Sequence, residues 1–200
     1  MPPIKRSSLM TLEDYAKSRQ EFRARVMAHK RNRKVHLGTN VTLIFEDELT
    51  MRYQIQEMLR AEKIFEEAGI QEELEAYNPL VPDGTNWKAT MMIEYPDPVE
   101  RAARLAELIG IEDKVWVKVN GLDPVYAIAD EDLDRENEKK TASVHFLRFE
   151  LGLEMIKALR EGASLSMGID HSAYKVPGQE VDAAARNALM DDLTTDLARG

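Results

Sequence analysis

Residues 141 to 155, TASVHFLRFELGLEM, alternate apolar and polar side chains and recur in Val, Phe and Thr, the pattern of a β-strand. Successive strand side chains face opposite ways, so Val144, Phe146, Arg148 and Glu150 share one face while His145, Leu147, Phe149 and Leu151 share the other. Both faces mix hydrocarbon with ionisable groups. The expectation is a sheet covered on both sides, with a few charged groups trapped inside it.

The segments around this strand limit the architecture. Thr11, followed by Glu13 and Asp14, offers a capping hydroxyl and early carboxylates for a helix reaching about Asn32. Its stripe is Leu12, Tyr15, Arg19, Phe22, Val26 and His29, with Arg19 among apolar neighbours. KVHLG and VTLIFED read as a hairpin turning at Gly38 to Asn40. A long helix is expected at about 47–68, stopped by Gly69, then a short helical stretch from Gln71 to Tyr77. NPLVPDGTN is the clearest loop. Beyond it, WKATMMIEY, KVWVKVN, VYAIAD and SLSMGID read as strands, with helices at about Pro98 to Ile109 and Leu153 to Arg160 and an acidic loop before Lys140. Strands outnumber crossover helices, so the expected fold is α+β, with a mixed or mostly antiparallel sheet of about five to seven strands packed against helices. Residues 1–78 form a helical part with a β-hairpin, 79–176 a sheet-rich part in one compact unit with it, and 177–200 a peripheral tail.

Several chemistries are excluded. No apolar run approaches the roughly 18 residues of a membrane span, and the N-terminus lacks an apolar signal core; the cytoplasm is the expected address. With no cysteine, thiolate nucleophiles and Cys-ligated metal centres are ruled out. No phosphate-binding glycine motif occurs. Gly162, Ser164, Ser166 and Gly168 read G-x-S-x-S-x-G, which misses the hydrolase elbow by register. The histidines His29, His36, His145 and His171 stand singly, without E-x-x-H pairs, so no metal is assigned from the motifs, and the cofactor stays unknown.

Three regions carry candidate ligand-binding residues. On the long helix, Arg52, Gln56, Glu57 and Arg60 can face an anion; the plainer reading is a solvated face with i,i+4 pairs. On the opening strand, Arg148 and Glu150 can share an ion-pair network, whereas His145 reads more simply as a satisfied core histidine. In GIDHSAY, Asp170 and His171 are strand neighbours that point apart unless the strand ends at Ile169, with Tyr174 across a turn. The net charge is −9, yet eight Lys and Arg fall between Lys17 and Lys34 against one acid, Glu21. Such a patch attracts an anion or an acidic surface of a second copy. Nucleic acid is not expected, since only Phe22 stands near for stacking.

The blocks HKRNRKVHLG, FEDELTMRYQIQEMLRAEKIF, EELEAYNPLVPDGTN, VYAIADED, TASVHFLRFEL and GIDHSAY resemble DUF3501, a bacterial family of unknown function, across nearly the whole chain. The resemblance brings no catalytic residue. It implies an accessory role in redox metabolism, beside rubrerythrin-like or iron–sulfur oxidoreductase proteins. Without cysteines this chain would assist such chemistry rather than hold a cluster. The expectation is a cytoplasmic binding or accessory protein, a homo-oligomer (a dimer first) with a redox protein as a possible partner. The alternative is a small metal-binding protein or enzyme with a His/Asp/Glu/Arg site at the C-terminal strands.

Overall fold

Residues 2–129 and 140–194 are described by a computed structural model. The chain is α+β, with two antiparallel sheets in place of the single sheet expected. The first has strand order β1-β2-β3-β7-β6 and the second β5-β4-β8-β9. The first contains β1 (Lys34–Leu37), β2 (Val41–Glu46), β3 (Asn86–Ile93), β6 (Ile128–Ala129) and β7 (Val144–Glu150); the second contains β4 (Val115–Val119), β5 (Val125–Tyr126), β8 (Leu165–His171) and β9 (Tyr174–Glu180). The helices are α1 (Leu12–Lys30), α2 (Glu48–Ala61), α3 (Glu67–Tyr77), α4 (Pro98–Glu107), α5 (Leu153–Arg160) and α6 (Ala183–Met190). One apolar core joins inward residues of both sheets, such as Phe45, Trp87, Phe149, Val117 and Met167, with Leu105, Ile156 and Leu189 from α4, α5 and α6.

Local signals set the helix starts. Thr11 Oγ1 accepts from Asp14 N at 3.2 Å. Asp47 and Thr50 form a reciprocal capping box, each backbone N–H donating to the other side chain at 2.9 Å. Asp97 caps α4, which opens on Pro98.

The long helix expected at 47–68 is two helices. Lys63 adopts φ 57°, the left-handed conformation that closes a helix C-terminus, and Ile64 N donates to Leu59 O at 2.9 Å. Gly69 then lies inside α3 rather than stopping α2. The break lets α3 return, so that Ile70 and Leu74 join Met51, Ile55 and Leu59 over Ile4 and Leu9 in a second apolar cluster. Burial outweighs the continuous helical periodicity of the sequence.

VYAIAD is also divided. Val125 and Tyr126 pair with Val117 and Trp116 in the second sheet, whereas Ile128 and Ala129 pair with Arg148 and Leu147 in the first. The chain changes sheets at Ala127, whose N–H donates to Val115 O at 2.8 Å. Asp130 and the expected acidic loop lie outside the described residues.

The segment after Pro177, expected to be peripheral, continues β9 at a sheet edge, where proline is tolerated. It then forms α6. Ala185, Leu189 and Leu193 are buried in the main core, and Trp87 Nε1 donates to Leu189 O at 2.8 Å. Gly168 belongs to β8 at a bulge; a Cβ there would meet Trp116 Cζ2 at 2.3 Å, so glycine is required for packing. Among the described residues no helix is long and apolar enough to cross a membrane.

Candidate functional site

β7 has one enclosed face. His145, Leu147 and Phe149 are buried, whereas Val144, Phe146, Arg148 and Glu150 are half-buried, which corrects the expectation of cover on both sides. Arg148 pairs with Glu150 at side-chain exposures of 38% and 41%, and Glu150 also accepts from Asn86 Nδ2 at 3.2 Å. His145 Nε2 lies 2.9 Å from Thr141 Oγ1 and 3.0 Å from Ala142 O, with Glu112 Oε2 at 3.9 Å. This histidine is a satisfied core residue.

β8 runs through His171, so Asp170 and His171 point apart: Asp170 is exposed and His171 buried. Tyr126 OH donates to Asp170 at 2.8 Å, and that bond raises the tyrosine's pKa. His171 Nδ1 accepts from Ala173 N at 3.2 Å while Nε2 reaches Ile109 O at 3.1 Å, which fixes one neutral tautomer. Tyr174 OH donates to Leu37 O at 2.8 Å and accepts from Asn40 N at 2.9 Å. The hydrogen bonds of His171 and Tyr174 run into the fold, whereas Asp170 bonds Tyr126 at the surface. Among the described residues no three His, Cys, Asp or Glu side chains are grouped to hold a metal ion.

The helical candidates are divided between two faces. Gln56 is buried; its Oε1 accepts from Met10 N at 2.6 Å and anchors the N-terminal segment. Arg52 pairs with Glu48 at 3.2 Å and lies 5.6 Å from the Phe22 ring centroid, with Arg25 at 5.0 Å from the same ring. Glu57 faces α1. It accepts from Arg19 Nε and Nη2 at 2.7 Å each and from Tyr15 OH at 2.5 Å. The Arg19 bond, above all, holds the Glu57 carboxyl below its ordinary range, against a smaller opposing effect of burial. Burial and then Glu57 push the Tyr15 phenol upward.

Beside this pair lies an open groove of about 530 Å³, lined by Ala16, Arg19, Gln20, Arg23, Ala24 and Arg60. Tyr15, Phe22, Val26 and Tyr53 pack together beneath the helices, which places Arg60 of α2 opposite the residues of α1. Arg19 and Arg23 are one turn apart and so share a face. Among the described residues neither Arg23 nor Arg60 makes an ion pair. In the sequence Arg60 is a candidate and Arg19 and Arg23 belong to the basic segment, but no short window of residues joins them across two helices. The available signal was Arg19 itself, a cation inside an apolar stripe, which implies an acid on the facing helix.

A buried ionic group joins the helices to the C-terminus. Arg33 donates to Phe45 O at 2.9 Å, Ala188 O at 3.0 Å and Glu46 O at 3.2 Å, and it also bonds the Asp192 carboxylate. Asp47 Oδ2 lies 3.4 Å from Arg33 Nε and 2.5 Å from His29 Nε2. Burial opposes ionisation of Asp47, but Arg33, the Thr50 backbone and His29 together keep its pKa low.

The family model described as "Protein of unknown function (DUF3501)" matches residues 3–193. The crystal structure of a novel protein of unknown function from Burkholderia pseudomallei K96243 is similar, with a TM-score of 0.92 and 54% identity over 96% of this chain and 100% of that chain. No curated protein matches.

Proposed function

Because this chain belongs to the DUF3501 family of proteins of unknown function, we propose its function from its own residues: it works by binding, as an accessory protein that receives an anionic ligand on the outer face of α1 and α2. The observation that carries this reading is the groove where Arg19, Arg23 and Arg60 gather. Its neighbouring carboxylate, Glu57, is already engaged by Arg19 and Tyr15. Clustered cations repel one another unless an anion joins them, and on a chain of net charge −9 such a cluster focuses positive potential locally. The C-terminal candidates His145, His171 and Tyr174 are instead engaged with backbone or with Thr141. An accessory role beside redox proteins, which the resemblance implies, fits a cysteine-free binder that carries or senses a ligand.

The test is a titration of isotopically labelled protein with sulfate and with citrate, followed by amide shifts. Shifts concentrated at residues 16–24 and 57–60, weakened by added salt and absent from Arg23→Glu/Arg60→Glu, are expected. Shifts elsewhere, or none, would overturn the proposal.

A further inference from the structure

We propose that the groove between α1 and α2 is a binding site for a soluble phosphomonoester with a small, non-aromatic, hydroxylated body; the inference rests on the reading of this face as the anion-receiving surface.

Charge selects the head group. Arg19, Arg23 and Arg60 bring three positive charges to the groove, and Glu57, bonded to Arg19, offsets one. The remainder of about two matches a phosphomonoester, which carries roughly −1.5 to −2 at pH 7, better than it matches a single carboxylate. Geometry points the same way. Glu57 holds Arg19 Nε and Nη2 at 2.7 Å, which fixes the guanidinium plane and leaves the other donors of its fork for a ligand. Arg23, one turn along α1, and Arg60, across from it, are exposed and make no ion pair among the described residues. Three guanidiniums around one anion suit the several acceptor oxygens of a phosphoryl group.

Space and lining select the body. About 530 Å³ lies within the roughly 300 to 1,000 Å³ typical of small-molecule sites, more than a bare ion fills. No aromatic side chain lines the groove, so a nucleobase would have no stacking surface there. Ala16 and Ala24 leave the helix backbone close to the ligand, and Gln20 offers both a donor and an acceptor for hydroxyl groups.

The experiment is calorimetric titration of the full chain with glycerol 3-phosphate, glycerol and citrate, together with sedimentation on vesicles containing phosphatidic acid. Expected are saturable binding of glycerol 3-phosphate, none of glycerol and at least tenfold weaker binding of citrate. Arg23→Ala/Arg60→Ala should weaken glycerol 3-phosphate at least tenfold with an unchanged melting temperature, since both side chains are exposed. Arg23→Lys/Arg60→Lys should restore only part of the affinity, because lysine keeps the charge and loses the fork. Binding to vesicles in preference to the soluble phosphomonoester would overturn the inference. So would equal affinity for citrate, which would leave the anion-binding reading of the face standing. If neither anion perturbs α1 and α2, both fall.

Discussion

Arg33 and Asp192 form a buried ion pair across 159 residues of chain, with side chains 1% exposed on both sides. The pair fixes the end of α6 against the junction between α1 and β1. Arg33→Met with Asp192 kept would leave a carboxylate buried without its cation. A loss of about 3 to 5 kcal/mol is expected, measured by denaturant unfolding. A loss below about 1 kcal/mol would show that the C-terminal segment is not held by this pair.

The same carboxylate predicts a pH dependence. Burial, against the pull of Arg33, raises Asp192 from 3.8 to about 6. The folded state therefore binds this proton more readily than the unfolded state, so the group's contribution is greatest below 3.8 and declines as pH rises to about 6. Asp192→Asn cannot titrate. Its stability relative to the parent should rise between pH 4 and pH 7 by up to about 3 kcal/mol. Glu57 is common to both proteins and cancels in the comparison, and Asp47, although coupled to Asp192 through charge, has a lowered carboxyl that is ionised over most of that window. A difference that stays flat over that window would contradict the assignment.

Tyr174 joins the second sheet to the β1–β2 turn of the first. Its hydroxyl serves Leu37 O and Asn40 N together, so Tyr174→Phe should destabilise by about 1 to 3 kcal/mol. Gly38→Ala should also destabilise, since Gly38 has φ +71° and an added Cβ would meet the Tyr174 hydroxyl at 2.6 Å. Thermal melts of the two single variants and the double check this. The double variant should show less than the sum, because the residues touch.

Arg148→Met is expected to be nearly neutral. The Arg148–Glu150 pair is more than a third exposed, and exposed pairs contribute about 0 to 1 kcal/mol. Glu150 also keeps Asn86 as a partner. A drop of several kcal/mol would mean that this face of β7 is enclosed after all.

Much of the local structure was legible in the residues themselves. Thr11 announced α1, the alternation of 144–150 announced β7, and the Pro98 and Gly110 signals bracketed α4. Periodicity also set His145 and Asp170 on opposite kinds of face, but the strand's continuation through His171 and the bonds of His145 to Thr141 and Ala142 came only with the fold. The candidate site was legible only in pieces: Arg60 on one helix, the basic segment on another, and Arg19 as an unexplained cation between them.

By itself, then, the sequence determined caps, periods and the α+β class, because these depend on hydrogen bonds and side-chain directions within a few residues. Tertiary structure alone decided that α2 breaks at Lys63, that VYAIAD serves two sheets, that the C-terminal helix is core, and that Arg19, Arg23 and Arg60 meet in one groove. Each of those outcomes is settled by which distant surfaces exclude water from one another, and no short window of residues contains both surfaces.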